Sequence, residues 1–182
     1  MQKSRALPIA RSSRVFQLID LLKALYAHDC RFVVCGGVAC VLQGVERATY
    51  DLDVLVVMEP DNLQKVLCTA AGLELVPRIP QPAEQLLDPE LRQKWKEDKN
   101  ALVYTFASHN SPLQLDILLD YPISFDDLMQ RADLIDIDGC LIPVSSKEDL
   151  LTIKKAIEPP RTKDRIDIEE LEALLAEEQQ TG

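Results

Sequence analysis

The stretches Phe32-Val33-Val34-Cys35-Gly36-Gly37 and Tyr50-Asp51-Leu52-Asp53-Val54-Leu55-Val56-Val57 decide the expected fold. In the first, an apolar, β-branched run ends at two glycines, as in a buried strand that opens into a tight turn. The run from Val38 to Leu42 then favours a short helix that ends at Gly44. By themselves, Gly36 and Gly37 fit an ordinary turn as well as they fit a backbone cradle for phosphate.

The second stretch carries Asp51 and Asp53 one residue apart. Side chains two positions apart on a strand point to the same side, about 7 Å from each other. Both carboxylates would therefore share one face, with Leu52 and Val54 toward the core. Aspartate is a poor strand former and is costly beside a core, so the pair requires a functional reason. Carboxylates of this kind hold the paired divalent cations, about 4 Å apart, of phosphoryl-transfer sites.

This order of residues resembles the polymerase-beta-like nucleotidyltransferase superfamily, and within it the small bacterial proteins with a G-G, helix, G-x-x-R-x-T-x-D-L-D signature. The chain supplies the signature as Gly36-Gly37, Gly44, Arg47, Thr49 and Asp51-Leu52-Asp53. Later segments also match, so the resemblance covers most of residues 30–175; these segments are Leu113–Leu119, Ser145–Ala156 and Arg161–Asp167. The chain departs from the family at Gln43, where many relatives have histidine, and at Thr162, where they have proline.

The resemblance implies an α+β nucleotidyltransferase fold with a mixed central sheet flanked by helices. It implies that Asp51, Asp53 and Asp116 are the catalytic and metal-binding residues, for Mg²⁺ or Mn²⁺, with NTP as the substrate. Asp116 would share the cation on the side of the attacking group and take up its proton. The residues expected to bind the nucleotide are Gly36, Gly37, Arg47, Thr49, Lys154 and Lys163.

Some of these roles have a structural alternative. Arg47 and Thr49 fit pairing with local backbone or carboxylate as well as contact with phosphate or acceptor. Lys163, together with Asp164 and Asp167, fits a solvated ion-pair face equally well. Lys154 is the stronger cation candidate, because the resemblance places a lysine there on a helix that faces the nucleotide.

Composition is that of a soluble protein with one core: the chain has 182 residues, 47% hydrophobic and 27% charged. No apolar run approaches the roughly 20 residues that span a bilayer, and the N-terminus has no signal-peptide core. We therefore expect a cytoplasmic protein with no membrane partner. The formal net charge of −10 repels nucleic-acid backbones. The five cysteines and two histidines lack the spacing of a zinc site.

One nucleotidyltransferase-like domain is expected over residues 1–182. Apolar periodicity predicts an N-terminal packing helix over 13–28, capped by Ser12 or Ser13. The catalytic core would span about 30–145, and C-terminal helices would lie within about 147–178. Prolines and charges over 77–98 indicate an insertion outside the core, a candidate lid or specificity loop, with a surface helix over 89–96.

Further elements follow from alternation and turn residues. A helix is expected over 60–71 and a short strand over 73–76. Two antiparallel hairpins are expected, one over 103–107 and 113–119, and one over 134–137 and 141–144 that turns at Asp138-Gly139.

Three classes of function are compatible with the sequence. The first is a nucleotidyltransferase that moves a nucleoside monophosphate to a small molecule, a protein hydroxyl or an RNA end. The resembling family includes enzymes of antibiotic modification and members of toxin–antitoxin systems, which makes a toxin–antitoxin partner protein a candidate partner. The second is an NTP- and metal-binding regulatory or antitoxin-type module without transfer activity. The third is an interaction protein whose acidic surface recruits a basic partner. The lack of a long basic stripe favours a modifier of metabolites or proteins over a polymerase.

Overall fold

A computed structural model describes residues 14–99 and 101–181. The helices are α1 (Arg14–Ala27), α2 (Gly36–Leu42), α3 (Pro60–Gly72), α4 (Pro89–Lys99), α5 (Phe125–Arg131), α6 (Lys147–Lys155) and α7 (Thr162–Thr181). The strands are β1 (Phe32–Cys35), β2 (Asp51–Val56), β3 (Leu75–Pro77), β4 (Val103–Ser108), β5 (Gln114–Leu118), β6 (Asp133–Ile137) and β7 (Cys140–Val144). A 3-10 helix, Ala83–Leu87, precedes α4.

The seven strands form one mixed sheet in the order β3-β4-β5-β2-β1-β7-β6. Strand β2 runs parallel to β5, and β1 runs parallel to β7. The remaining neighbours are antiparallel, including both predicted hairpins. The predicted α+β fold with a mixed central sheet is thus confirmed.

Helices cover both faces of the centre of the sheet. Phe32 and Val34 of β1 belong to the main core, which includes Leu22 of α1 and Leu63 of α3. The alternate residues Val33 and Cys35 pack on the other face in a second cluster, together with Leu128 of α5. Because both faces are buried, all four residues of β1 are apolar and buried.

Strand β2 shows the alternation that its sequence predicts. Leu52 and Val54 are fully buried, whereas Asp51 and Asp53 are only partly buried. The carboxylates therefore lie on one face of a central strand, at its N-terminal half.

Helix α2 begins earlier than expected. It starts at Gly36 rather than Val38, directly after the extended Cys35. The predicted tight turn is the first turn of this helix, and it is Gly36 that has a positive φ of 59°. An L-residue rarely adopts this backbone conformation, so glycine is favoured at position 36.

The segment 77–98 corrects a prediction. Leu86 in the 3-10 helix is fully buried, and Trp95 of α4 stacks on Tyr104 of β4 with ring centroids 5.8 Å apart. The segment is therefore anchored in the core and is not an insertion outside it. The sequence did not indicate these buried apolar residues, because most residues of the segment lie on the exposed faces of its short helices. The proline and charge content of the segment therefore suggested a surface insertion.

Of the remaining helices, α1 agrees with the sequence prediction and α5 was not predicted. Helix α1 lies within the predicted 13–28, while its expected caps Ser12 and Ser13 lie outside the described residues. Helix α5 was not predicted, because its seven residues are too few to show a clear apolar period. In the described ranges, no helix is both long and apolar enough to cross a bilayer.

Candidate active site

Three carboxylates meet on one face of two adjacent central strands. The parallel register of β2 and β5 places Asp53 directly opposite Asp116, and Asp51 opposite Gln114. Because Asp51 and Asp53 are two residues apart, they share the face to which Asp116 also points. The predicted trio is thus brought together by pairing between segments more than sixty residues apart.

Burial shapes the ionisation of this trio. It raises the pKa of Asp53 to about 6, and the negative charges of Asp116 and Asp51 add to the rise. Burial also raises the pKa of Asp116, again helped by the charge of Asp51, although the Thr105 hydroxyl acts in the opposite direction. Within the described residues, the buried Oδ1 of Asp116 has no hydrogen-bond partner. The trio therefore concentrates negative charge at one place and includes an unsatisfied oxygen.

The carboxylates face a cavity of about 470 Å³. All nine residues predicted for the site line this cavity: Gly36, Gly37, Arg47, Thr49, Asp51, Asp53, Asp116, Lys154 and Lys163. The fold therefore brings all the residues selected from the sequence to one cavity. The roles of these residues differ from one another, as their contacts show.

Because Gly36 and Gly37 have no side chains, the side chains of Asp53 and Arg47 can pack against the start of α2. A Cβ on Gly36 would lie 2.0 Å from Oδ2 of Asp53, and one on Gly37 would lie 2.3 Å from Nη2 of Arg47. The Gly37 N–H also donates to the Asp53 carboxylate, which partly offsets the rise in its pKa. Glycine at both positions thus lets the Asp53 carboxylate and the Arg47 guanidinium occupy space that side chains would fill.

A buried ion network joins the cavity to the C-terminal helix. The fully buried carboxylate of Asp167 accepts from Nε of Arg47 at 2.6 Å and pairs with Nζ of Lys154 at 2.7 Å. The equally buried Asp164 pairs with Nζ of Lys154 at 2.8 Å and with Nε of Arg161 at 2.7 Å. The alternative of a solvated ion-pair face is therefore wrong for both aspartates.

These pairings divide the predicted cations into two groups. The Lys154 side chain is only 7% exposed and its ammonium lies between two carboxylates. Arg47 is likewise held by Asp167 of α7, and its Nη1 donates to the neighbouring Ala48 carbonyl at 3.3 Å, so the pairing alternative is realised. Lys163 is exposed, lines the cavity and forms no ion pair within the described part of the chain. Its charge acts to lower the pKa of Asp116.

Sequence reasoning missed several residues of the site. Arg161, Asp120 and Tyr121 also line the cavity. Gln114 donates from Nε2 to Oδ1 of Asp51 at 2.5 Å, and so fixes that carboxylate. The spacing of Asp164 and Asp167 was an available signal, because residues three apart lie on the same face of a helix and can share a partner.

The two departures from the family signature have structural explanations. Gln43 is buried and donates from Nε2 to Oδ2 of Asp133 at 2.8 Å and to the Ser145 carbonyl at 2.9 Å. It ties α2 to the β6–β7 hairpin and does not line the cavity. Thr162 is the first residue of α7, a position where proline is favoured but not required.

Several solved structures share this fold. Lincomycin-bound LnuA, a lincosamide antibiotic adenylyltransferase, is 16% identical with a TM-score of 0.59, over 87% of this chain and 96% of that one. ANT(2'')-Ia in complex with adenylyl-2''-tobramycin is 13% identical with a TM-score of 0.52, over 93% and 99%. An antigenic nucleotidyltransferase-like protein from Paracoccidioides brasiliensis is 17% identical with a TM-score of 0.53, over 96% and 91%.

No family model and no curated protein sequence matches the chain. At these identities, the structural likeness establishes the fold. The chain has the nucleotidyltransferase fold, as the sequence resemblance implied.

Proposed function

We propose that this protein is a metal-dependent nucleotidyltransferase that moves a nucleoside monophosphate from NTP to a hydroxyl of a small molecule. The observation that carries the proposal is the juxtaposition of Asp53 and Asp116 across β2 and β5, with Asp51 on the same face. A protein gains no stability from three partly buried carboxylates close together, so a ligand that needs them is the simplest reason for their presence.

The donor set fits Mg²⁺ or Mn²⁺. These cations prefer carboxylate oxygens and complete their coordination with water and substrate phosphates. Within the described residues, no group of three His, Cys, Asp or Glu side chains is placed so that it could hold a metal ion. We propose that Asp51, Asp53 and Asp116 hold the cations only when the triphosphate supplies further oxygens, and the unpartnered Oδ1 of Asp116 is the oxygen most in need of a ligand. When bound, the cations would neutralise charge on the attacking and leaving oxygens.

The chain's own groups supply binding and proton transfer. The acceptor hydroxyl oxygen would attack the α-phosphorus, the bond from that phosphorus to the bridging oxygen would break, and pyrophosphate would leave with the electron pair. Asp116 would take the hydroxyl proton, a role for which a carboxyl of raised pKa is suited. Lys163 and Arg161 line the cavity and can approach the triphosphate, while Asp167 holds Arg47 beside Gly37.

A small-molecule acceptor is supported by size and by charge. The cavity of about 470 Å³ lies in the range of small-ligand sites, roughly 300–1,000 Å³. A formal net charge of −10 opposes the approach of an RNA end. The names of two proteins with this fold, lincomycin-bound LnuA and ANT(2'')-Ia with adenylyl-2''-tobramycin, also describe small-molecule acceptors.

One observation favours the second candidate, an NTP- and metal-binding regulatory or antitoxin-type module without transfer. Lys154 and Arg47 are held by Asp164 and Asp167, which leaves fewer cations to stabilise a leaving pyrophosphate. Under this alternative the carboxylates would still bind Mg²⁺ and NTP.

A transfer assay distinguishes the two candidates. Purified protein would be incubated with each labelled NTP, Mg²⁺ or Mn²⁺, and separated small-molecule, protein and RNA fractions of a lysate. Asp53→Asn serves as the inactive control, and Asp98→Asn, on the exposed face of α4, as the active one. Label on a small molecule, absent with Asp53→Asn, supports the proposal. Label on protein or RNA overturns the acceptor class, and NTP binding without any transfer favours the module.

A further inference from the structure

A second large groove lies away from the catalytic cavity, between α5 and the β6–β7 hairpin. Its volume is about 830 Å³, and the connection from α1 to β1 closes one end of it. The groove is lined by apolar side chains from all three elements and by four polar ones: Asp29, Arg31, Asp126 and Gln130. Asp29 pairs with Lys65 and Arg31 with Glu59, which are both outside the lining. We call it the hairpin groove.

The hairpin groove concentrates exposed apolar side chains. Leu134 is 59% exposed, Leu141 48%, Tyr26 44% and Met129 42%, and all four line the groove. Among the described residues, ten large hydrophobic side chains are exposed, so four of them share this one place. Single exposed apolar residues are ordinary, but a contiguous group rimmed by polar residues marks an interaction surface.

The topology explains why this surface is uncovered. Val34 pairs with Val144, so Leu141 and Pro143 lie on the opposite face of the sheet, the face that α5 covers. Helix α5 has only seven residues, and its Leu128 is anchored over β1 and β2. The hairpin extends beyond α5, and β6 is the last strand of the sheet in the described part of the chain. A second helix beside α5 would complete this layer.

The charged residues around the groove indicate which kind of partner the groove would bind. Residues 125–139, which form α5, β6 and the hairpin turn, contain five aspartates and one arginine. That arginine, Arg131, is paired with Asp149. Two of the aspartates already have partners, because Asp138 pairs with Lys23 and Asp133 accepts a hydrogen bond from Gln43. Asp126, Asp127 and Asp136 form no ion pair within the described residues and leave the segment acidic. A second copy of this chain, packed hairpin to hairpin, would bring two such acidic segments together, which is unfavourable. A segment with lysine or arginine beside its apolar residues would instead complement the rim.

We infer that the hairpin groove binds a basic amphipathic helix of a partner protein, with its apolar face on Leu134, Leu141 and Met129. Helices of this kind use apolar residues at i, i+3, i+4 and i+7 to fill such a groove. The bound helix would lie beside α5, whose Leu128 shares a buried cluster with Tyr121. Tyr121 also lines the catalytic cavity, so the partner would contact an element that borders the active site.

Binding of synthetic peptides to the full-length protein tests the inference. The probe is a labelled helical peptide of about 18 residues with a leucine stripe and lysines on both flanks. The comparison peptide has the same stripe with glutamates instead of lysines. We expect the lysine peptide to bind in fluorescence anisotropy at least about tenfold more tightly than the glutamate peptide, with the difference reduced at high salt.

Surface variants locate the binding site. Leu134→Ser with Leu141→Ser is expected to weaken binding of the lysine peptide at least about tenfold, because both anchors are lost. Ile166→Ser removes an apolar side chain that is 40% exposed on α7, outside the groove, and should leave binding unchanged. Circular dichroism melting confirms that the variants are folded.

Three results would overturn the inference. The first is no binding of the lysine peptide up to about 1 mM, which is weaker than a specific docking site allows. The second is equal binding to wild type and to the groove variant. The third is a wild-type dimer in sedimentation that the groove variant dissociates, which would identify a second copy as the occupant. None of these measurements uses transfer activity, so the proposed function can fail or succeed independently.

Discussion

Asp53 of β2 lies directly opposite Asp116 of β5, and burial raises the pKa of both carboxyl groups. Neighbouring strands lie about 5 Å apart, so two carboxylates at paired positions on one face repel each other unless a cation lies between them. The metal-free protein is therefore expected to be destabilised by its own site.

Asp53→Asn should stabilise the metal-free protein at pH 7. Because the folded-state pKa is raised from 3.8 to about 6, the unfolded chain loses this proton first, and stability falls as the pH rises through that window. A rise of about two pKa units corresponds to about 2 to 3 kcal/mol at pH 7. Urea denaturation in EDTA should show a gain of this order at pH 7 that shrinks toward pH 4. The control Asp98→Asn should show no such gain.

Gly37→Ala should weaken nucleotide binding and also destabilise the fold. The added Cβ would displace the Arg47 guanidinium from its place beside α2 and so disturb its buried ion pair with Asp167. We expect the Kd for Mg²⁺–NTP to rise about tenfold or more, with a loss of stability approaching the roughly 3 to 5 kcal/mol that breaking a buried ion pair costs. Gly72→Ala is the matched control, because nothing lies within 4 Å of its Cβ. Unchanged nucleotide affinity in Gly37→Ala would show that the position of Arg47 is unimportant.

Asp167→Asn should destabilise the protein strongly. It leaves Arg47 and Lys154 with one carboxylate fewer in a buried setting, and breaking a buried ion pair from one side costs about 3 to 5 kcal/mol. Glu169→Gln, one of the exposed positions of the same helix, should cost less than about 0.5 kcal/mol. Urea denaturation measures both. A small effect of Asp167→Asn would mean that the network has little energetic importance.

Asp116→Ala should separate binding from chemistry. Asp51, Asp53 and the start of α2 remain to hold Mg²⁺–NTP, so the Kd should change by less than about tenfold. Loss of the proton acceptor should slow transfer by about 10² to 10⁴ or more. Nucleotide affinity and transfer of label are measured on the same preparations. Transfer at a near wild-type rate would exclude Asp116 as the proton acceptor.

The sequence predicted the local parts of this molecule well. The alternation around Asp51 and Asp53, the strand that ends at Gly36 and the Asp138-Gly139 hairpin each depend on neighbouring residues, and all three are present. Resemblance to known motifs placed Asp116 beside the pair. All nine predicted residues consequently line one cavity.

The features that the sequence did not predict depend on contacts between residues that are far apart along the chain. Arg47 and Asp167 are 120 residues apart, and no local pattern connects them. Lys154 is similar to an exposed phosphate-binding lysine in sequence, yet the fold buries it between two carboxylates of α7. Trp95 lies in a highly charged helix, and only its stacking on Tyr104 shows that this helix is anchored in the core.

Calorimetric titration of NTP tests the central claim most directly. Wild type, Asp51→Asn and Asp53→Asn would each be titrated with the preferred NTP in Mg²⁺ and in EDTA. We expect wild type to bind at least about tenfold more tightly in Mg²⁺, and both variants to lose this difference while remaining folded. An unchanged magnesium-dependent affinity in either variant would contradict the assignment of Asp51, Asp53 and Asp116 as the site that holds the metal and the triphosphate.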